Sequence, residues 1–293
     1  MREEFIHYLT YEKRYSPHTI KNYISDLSQL RSFLQATFEI EEIESALHPH
    51  LRSWSVSLME DDKTARTVRR KISATRTYFR WLRKYHNIKS DPTLKLILPT
   101  IPKRLPTVVE EDQMMQLSTR GLFPETFEGM RDRAIIEMFY HTGMRSAELL
   151  GLKDFDIDYH QKTIKVLGKR NKERIIPVSE ELLDVIGSYA SFREELSQVD
   201  SDGHFFVNAR GRKLYPKLVY KVVNNYLGIV SLQRKKSPHV LRHTFATHML
   251  NRGADLNAIK ELLGHASLAA TQIYTHNTVE KLKNIHRDAH PNG

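Results

Sequence analysis

The chain has 293 residues and no cysteine, with 45 Lys and Arg against 35 Asp and Glu, a formal charge of +10. The charge points to a polyanionic partner, nucleic acid before an acidic membrane surface. A 40% hydrophobic content excludes a disordered chain, and the lack of cysteine excludes disulfides and thiolate metal sites. The length suits two domains. No apolar run approaches the ~18–20 residues that span a bilayer. The opening MREEFIHYL lacks a signal-peptide core, so a cytoplasmic protein with no membrane partner is expected.

In chain order, the first hundred residues read as helices. Phe5, Ile6 and Leu9 begin one apolar stripe. Ser16 and Pro17 form a cap and first-turn pair, and Ile20, Tyr23, Ile24, Leu27, Leu30 and Leu34 follow at helical spacing. A third helix is expected from His48 to Leu58. A fourth runs from Ala65 to about Tyr85, with Val68, Ile72, Phe79 and Leu82 inward. Residues 63–84 carry nine basic residues, among them Arg66, Arg69, Arg70, Lys71 and Arg76, and no acidic one. A solvated helix face would explain such a run; a helix along a phosphate backbone explains its single sign better.

LPTIPKRLPTVV, residues 98–109, holds three prolines, which remove donors and disfavour helix. It is expected to link a domain over 1–97 to another over 110–293. RDRAIIEMFYHTG then reads as a buried helix closed by Gly143, and RSAELLGL as a short one. FDID, TIKVLG and ERIIPV read as three short strands joined by turns. Helix resumes beyond Lys213. The expected class is therefore mainly α with a small antiparallel β-sheet.

Several motifs have both a structural and a chemical reading. In SPHVLRHTFATHML a Ser-Pro start is followed by His239 and Arg242, three apart on one helix face. They make a phosphate clamp at a helix start, or simply a capped helix with a surface arginine; Phe245, Met249 and Leu250 are expected in the core. Arg145 follows a glycine turn, with Glu148 placed to orient a basic neighbour. GKRNKER, with Lys169, Arg170 and Lys172, reads as a hairpin tip that reaches into a groove or as an ordinary charged turn. His265 follows a helix-ending glycine. LGHASLAATQIYTH ends near Tyr274, which either packs on a helix or attacks something. His239, His243 and His248 share a helix, but spacings of four and five keep all three off one face, which argues against a metal site.

Taken in order, Arg145, Lys169, His239-x-x-Arg242, Gly264-His265 and Tyr274 resemble the tyrosine recombinases, or phage-type integrases, in their XerC/XerD-like branch. SPHTIKNYISDL, RLPTVV, GKRNKERIIPV, NRGADLNAIKELLGHASLAATQIYTH and LKNIHRDAHPNG extend the resemblance over nearly the whole chain.

The resemblance implies a helical, SAM-like core-binding domain and a catalytic domain closing on duplex DNA. It implies Tyr274 as nucleophile, forming a 3′-phosphotyrosyl link and freeing a 5′-hydroxyl. A phenol near pKa ~10 needs help. Arg145 and Arg242 would neutralise the non-bridging oxygens, and His265 would add a hydrogen bond. His239 would move the proton, Lys169 would protonate the leaving oxygen, and Glu148 would support the site from behind. A cationic clamp calls for no metal, unlike the carboxylates that hold Mg²⁺. The covalent link conserves bond energy, so no ATP or other cofactor is expected. In this branch four protomers, identical or paralogous, exchange strands at a specific site through a Holliday junction. A C-terminal helix, TVEKLKNIHRDAHPNG, docks on a neighbour or packs on its own domain. The expected role is chromosome-dimer resolution at cell division, with a DNA translocase as a further partner. Integration of a mobile element uses the same chemistry, and a non-enzymatic DNA-binding regulator would explain the charge but not the ordered motifs.

Overall fold

Local sequence sets the helix starts of the N-terminal part. In the computed structural model, which describes residues 3–101, 107–118, 121–168, 172–196, 198–199, 202–233, 235–264 and 288–289, the chain separates into two units, Met1–Arg104 and Leu105–Gly293.

The first unit is helical. Helix α1 (Glu3–His7) passes into a π-helical turn over Tyr8–Glu12, so the first apolar stripe is divided between two helix types; Phe5 and Leu9 are buried all the same. In α2 (Pro17–Phe38) the Ser16 hydroxyl accepts from the Thr19 amide at 3.2 Å and Pro17 stands at the helix start. Leu27, Leu30 and Leu34 form its inner face. Helix α3 is His48–Glu60 and α4 is Ala65–Tyr85, capped by Thr64. Val68, Ile72, Phe79 and Leu82 of α4 are buried against α2 and α3. The core is closed by a buried ion pair, Lys71 Nζ to Asp26 at 2.9 Å.

In the second unit, α5 (Glu111–Ser118) precedes α6 (Phe127–Thr142). Helix α6 is buried around nearly its whole circumference, packed by the helices Glu180–Glu194, Pro216–Val230 and Pro238–Asn251, and ends at Gly143 in the left-handed conformation, φ 57°. A Cβ there would stand 2.5 Å from Phe245 and 2.6 Å from Leu263, so glycine is required twice over. Helix α7 (Ser146–Gly151) follows.

Strands β1 (Ile157–Asp158), β2 (Thr163–Leu167) and β3 (Glu173–Pro177) form an antiparallel sheet in that order. The first is shorter than FDID suggests, because Asp154–Asp156 is a 3₁₀ turn. In the β2–β3 register Ile164 faces Ile176 and Val166 faces Arg174. One face of the hairpin is thus buried, and Arg174 lies on it.

Helix α8 (Glu180–Glu194), capped by Ser179, is an element additional to those expected after the strands. Helices α9 (Pro216–Val230), α10 (Pro238–Asn251) and α11 (Leu256–Leu263) complete the unit. Phe245 and Met249 are buried, whereas Leu250 is 47% exposed, against expectation, because it falls on the outer side of the last turn of α10. Of the expected C-terminal helix only Asp288 and Ala289 are among the described residues; Ala289 is buried in this unit's own core. No helix of the described residues is long and apolar enough to cross a membrane.

Candidate active site

The start of α7, the start of α10 and the end of α11 meet around one carboxylate and three arginines. Arg145, two residues past the Gly143 turn, occupies the cap position of α7. Its amide donates to Glu148 Oε2 at 2.8 Å and its Nη1 to Oε1 at 2.8 Å. Its Nη2 reaches the Gly264 carbonyl at 3.2 Å. Arg242, one turn into α10, donates from Nη1 to the Gly143 carbonyl at 2.6 Å and from Nη2 to the Leu263 carbonyl at 2.7 Å. Arg174 of β3 donates from Nε to the Leu262 carbonyl at 2.7 Å.

Three successive carbonyls at the end of α11, those of Leu262, Leu263 and Gly264, therefore each accept from a different arginine. The last turn of a helix leaves its carbonyls unpaired and carries the negative end of the dipole, so guanidiniums suit it. Gly264, at φ 62°, closes the helix in a conformation that favours glycine.

Glu148 is buried, and both of its oxygens are shared between two arginines. Arg174 Nη1 lies 2.9 Å from Oε1 and Arg174 Nη2 lies 2.8 Å from Oε2. Burial opposes ionisation of this carboxyl; hydrogen bonds and charge from Arg174, then Arg145, overcome it and hold the pKa below the usual value. Burial in turn lowers the Arg242 pKa to about 10, with the Arg145 charge adding to the effect, so the group stays cationic at neutral pH. Among the described residues, three guanidiniums against one carboxylate leave the cluster positive, which suits a phosphodiester.

His239 precedes Arg242 by three residues in the first turn of α10, behind Pro238 at the helix start. The residue is exposed. Partial desolvation, then the charges of Arg242, His243 and Arg145, lower its pKa and favour neutral imidazole. A neutral imidazole beside two guanidiniums can accept a proton.

The structure brings Arg145, Glu148, His239 and Arg242 into this one neighbourhood. Lys169, Arg170, His265 and Tyr274 lie outside the described residues. The flanks of two of them are described. Gly168, before Lys169, donates to the Lys172 carbonyl at 2.7 Å across the hairpin, and Gly264 immediately precedes His265. Lys172 is exposed.

On α4, Arg66 and Arg70 are exposed, and Arg70 also pairs with Asp26. Arg69 and Arg76 are half-buried and donate to the carbonyls of Pro99 and Leu96. Lys71 corrects the expectation that it faces a phosphate. It is 3% exposed and held by Asp26 and by Gln29 at 2.6 Å, an internal counter-charge and not a surface cation.

Arg174 is the residue that sequence reasoning missed. Its signal was the strand alternation: Ile164, Val166 and Ile176 mark the inward face of the hairpin, and position 174 falls on it. A buried arginine requires an acid and acceptors, which Glu148 and the end of α11 supply.

Residues 107–281 match the phage integrase family, and residues 3–86 match the phage integrase N-terminal SAM-like domain. The chain belongs to that family and is a tyrosine recombinase, an enzyme of site-specific recombination. It is 36% identical to the tyrosine recombinase XerC of Chlorobaculum parvum, over 99% of this chain and 94% of that protein. It is 34% identical to the tyrosine recombinase XerD of Halalkalibacterium halodurans, over 99% and 97%. Among solved structures, the XerH site-specific recombinase bound to palindromic difH substrate, a post-cleavage complex, superposes with a TM-score of 0.70 at 26% identity. The match covers 90% of this chain and 78% of that one. The Tn1549 transposon integrase, at 17% identity and TM-score 0.69 over 95% and 97%, shares the fold.

Proposed function

We propose that this chain binds double-stranded DNA at a specific recombination site and transfers its strands through Tyr274. The phenolic oxygen attacks a phosphodiester, forming the tyrosyl O–P bond as the P–O5′ bond breaks. The phenolic proton passes to His239, and Lys169 supplies a proton to the leaving 5′ oxygen. Arg145 and Arg242 neutralise the non-bridging oxygens in the transition state, with a hydrogen bond from His265, and Glu148 orients Arg145. The released 5′-hydroxyl, or one from a partner strand, reverses the step by attacking the phosphotyrosine, so the energy of the bond is retained.

The observation that carries this reading is the pair of guanidiniums fixed at adjacent carbonyls of α11, beside a neutral imidazole. The XerH complex bound to palindromic difH substrate supports duplex DNA as the partner. Arg66, Arg69, Arg70 and Arg76 of the residues 1–97 domain, with Arg170 and Lys172 of the hairpin, are the proposed phosphate contacts. The full reading has four protomers, identical or paralogous, passing through a Holliday junction in the cytoplasm. It assigns them to resolving chromosome dimers at cell division, with a DNA translocase as a partner. Residues 278–293 are the proposed contact between protomers; in the single chain Ala289 is buried in its own core, so exchange requires that residue to leave it.

The test is covalent capture. Host genomic fragments are incubated with the protein, and the adducts are isolated and sequenced. Adducts at one recurrent sequence are expected, and none from Tyr274→Phe, which should still bind that sequence. Cleavage that persists in Tyr274→Phe would refute the reading.

A further inference from the structure

We infer that Arg174 is a positioning residue for strand cleavage, setting the Arg145 guanidinium and the exit of α11 relative to one another. This inference rests on the phosphotyrosine reading above.

Arg174 joins the carboxylate of α7 to the end of α11. Two of its nitrogens span the Glu148 carboxylate, and Glu148 in turn holds both the amide and the guanidinium of Arg145. Its third nitrogen holds the Leu262 carbonyl. A single rigid guanidinium thus fixes the distance between the start of α7 and the end of α11. Lysine cannot reproduce this, since an ammonium is a point donor and not a planar fork.

Two glycines border the same side chain. A Cβ at Gly264 would lie 3.2 Å from both Cδ and Nη1 of Arg174, close enough to displace them. A Cβ at Gly168 would lie 3.2 Å from the Lys172 carbonyl, 3.5 Å from Glu148 Oε1 and 3.6 Å from Arg174 Nη1. Gly264 precedes His265 and Gly168 precedes Lys169, so the chain enters both segments beside Arg174. The residue is 4% exposed, so it acts through its neighbours and not on the phosphate.

The experiment uses the full chain and a nicked duplex carrying the sequence that the wild type marks covalently. Arg174→Lys and Arg174→Gln are compared with Ile186→Ala, a core substitution in α8. Three quantities are measured: the single-turnover rate of adduct formation at saturating protein, the Kd for the duplex, and the thermal midpoint. Both Arg174 variants should lose roughly 10- to 100-fold in rate with Kd within about twofold of wild type, since the residue does not meet the phosphate. Ile186→Ala should keep the wild-type rate despite an equal or larger loss of thermal midpoint. Arg174→Lys carries the test if the glutamine variant does not fold. Wild-type rates in the variants, or rate losses matched by Ile186→Ala, would overturn the inference, as would a failure of both variants to fold. A wild type that forms no adduct would overturn the phosphotyrosine reading and this inference with it.

Discussion

Arg145 and Arg242 grip adjacent carbonyls of one helix end, those of Gly264 and Leu263, but from unlike environments. The Arg145 side chain is 31% exposed, whereas Arg242 is 6% exposed and bridges two helix ends, through Gly143 and Leu263. Both would stabilise the same transition-state charge, but Arg242 also joins two helix ends from a buried position.

The two alanine variants should therefore separate. Each is expected to lower the rate of adduct formation by roughly 10²–10³-fold, the usual effect of removing one donor to a transition-state oxyanion. Arg242→Ala should in addition cost ~1–3 kcal/mol of folding stability, because two buried carbonyls lose their donor. Arg145→Ala should leave the unfolding midpoint close to wild type. Denaturant unfolding alongside single-turnover cleavage checks both expectations.

The pH dependence of cleavage should report His239. Its pKa in the folded protein is lowered from the ordinary imidazole value, near ~6.5, so the proton-accepting neutral form dominates at pH 7. Activity should fall as the pH drops, with a midpoint below that ordinary value. His239→Gln should remove that acidic limb and slow the reaction by roughly 10²-fold or more. Single-turnover rates from pH 5 to about 8 decide this; a midpoint above ~6.5 would contradict the local electrostatics.

Glu148 links the same cluster to acid stability. Its folded pKa is depressed, with Arg174 the chief cause overcoming burial. Its contribution is therefore complete above the unfolded value near ~4.3 and disappears as the pH falls through the folded value. Glu148→Gln should lower stability at pH 7 by ~3–5 kcal/mol, since it strips a buried guanidinium of its counter-charge. It should also flatten the stability-versus-pH curve below about pH 5. Unfolding titrations at several pH values would show both effects.

Much of this arrangement was legible in the sequence, because local physics fixed it. Ser16-Pro17 and the span of α4 follow from capping chemistry and helical spacing, and Gly143 ends α6 as its position suggested. The pairing of Arg145 with Glu148 is a contact three residues apart on one helix start. What could not be read was set by tertiary contacts. Lys71 belonged to a one-signed basic run, and only the packing of α2 on α4 shows that Asp26 neutralises it. Arg174 was one basic residue among four in a hairpin; its register opposite Val166 and its reach to Glu148 and Leu262 depend on how three separate segments meet. Helix α8 has local signals of its own, the Ser179 cap and an acidic first turn.

The basic face of α4 gives a last, discriminating prediction. Arg66 is exposed, whereas Lys71, five residues on, is buried against Asp26. If α4 follows a phosphate backbone, Arg66→Ala should reduce the slope of log binding constant against log salt by about 1 while leaving the unfolding midpoint unchanged. Asp26→Ala should do the reverse. It leaves the Lys71 ammonium buried without its counter-charge, at a cost of ~3–5 kcal/mol, and frees Arg70 from an ion pair without removing any surface cation, so the salt slope should not fall. Binding measured by fluorescence anisotropy over a salt series, paired with denaturant unfolding, reads both quantities. A salt slope unaltered in Arg66→Ala would mean that this helix face meets solvent and not DNA.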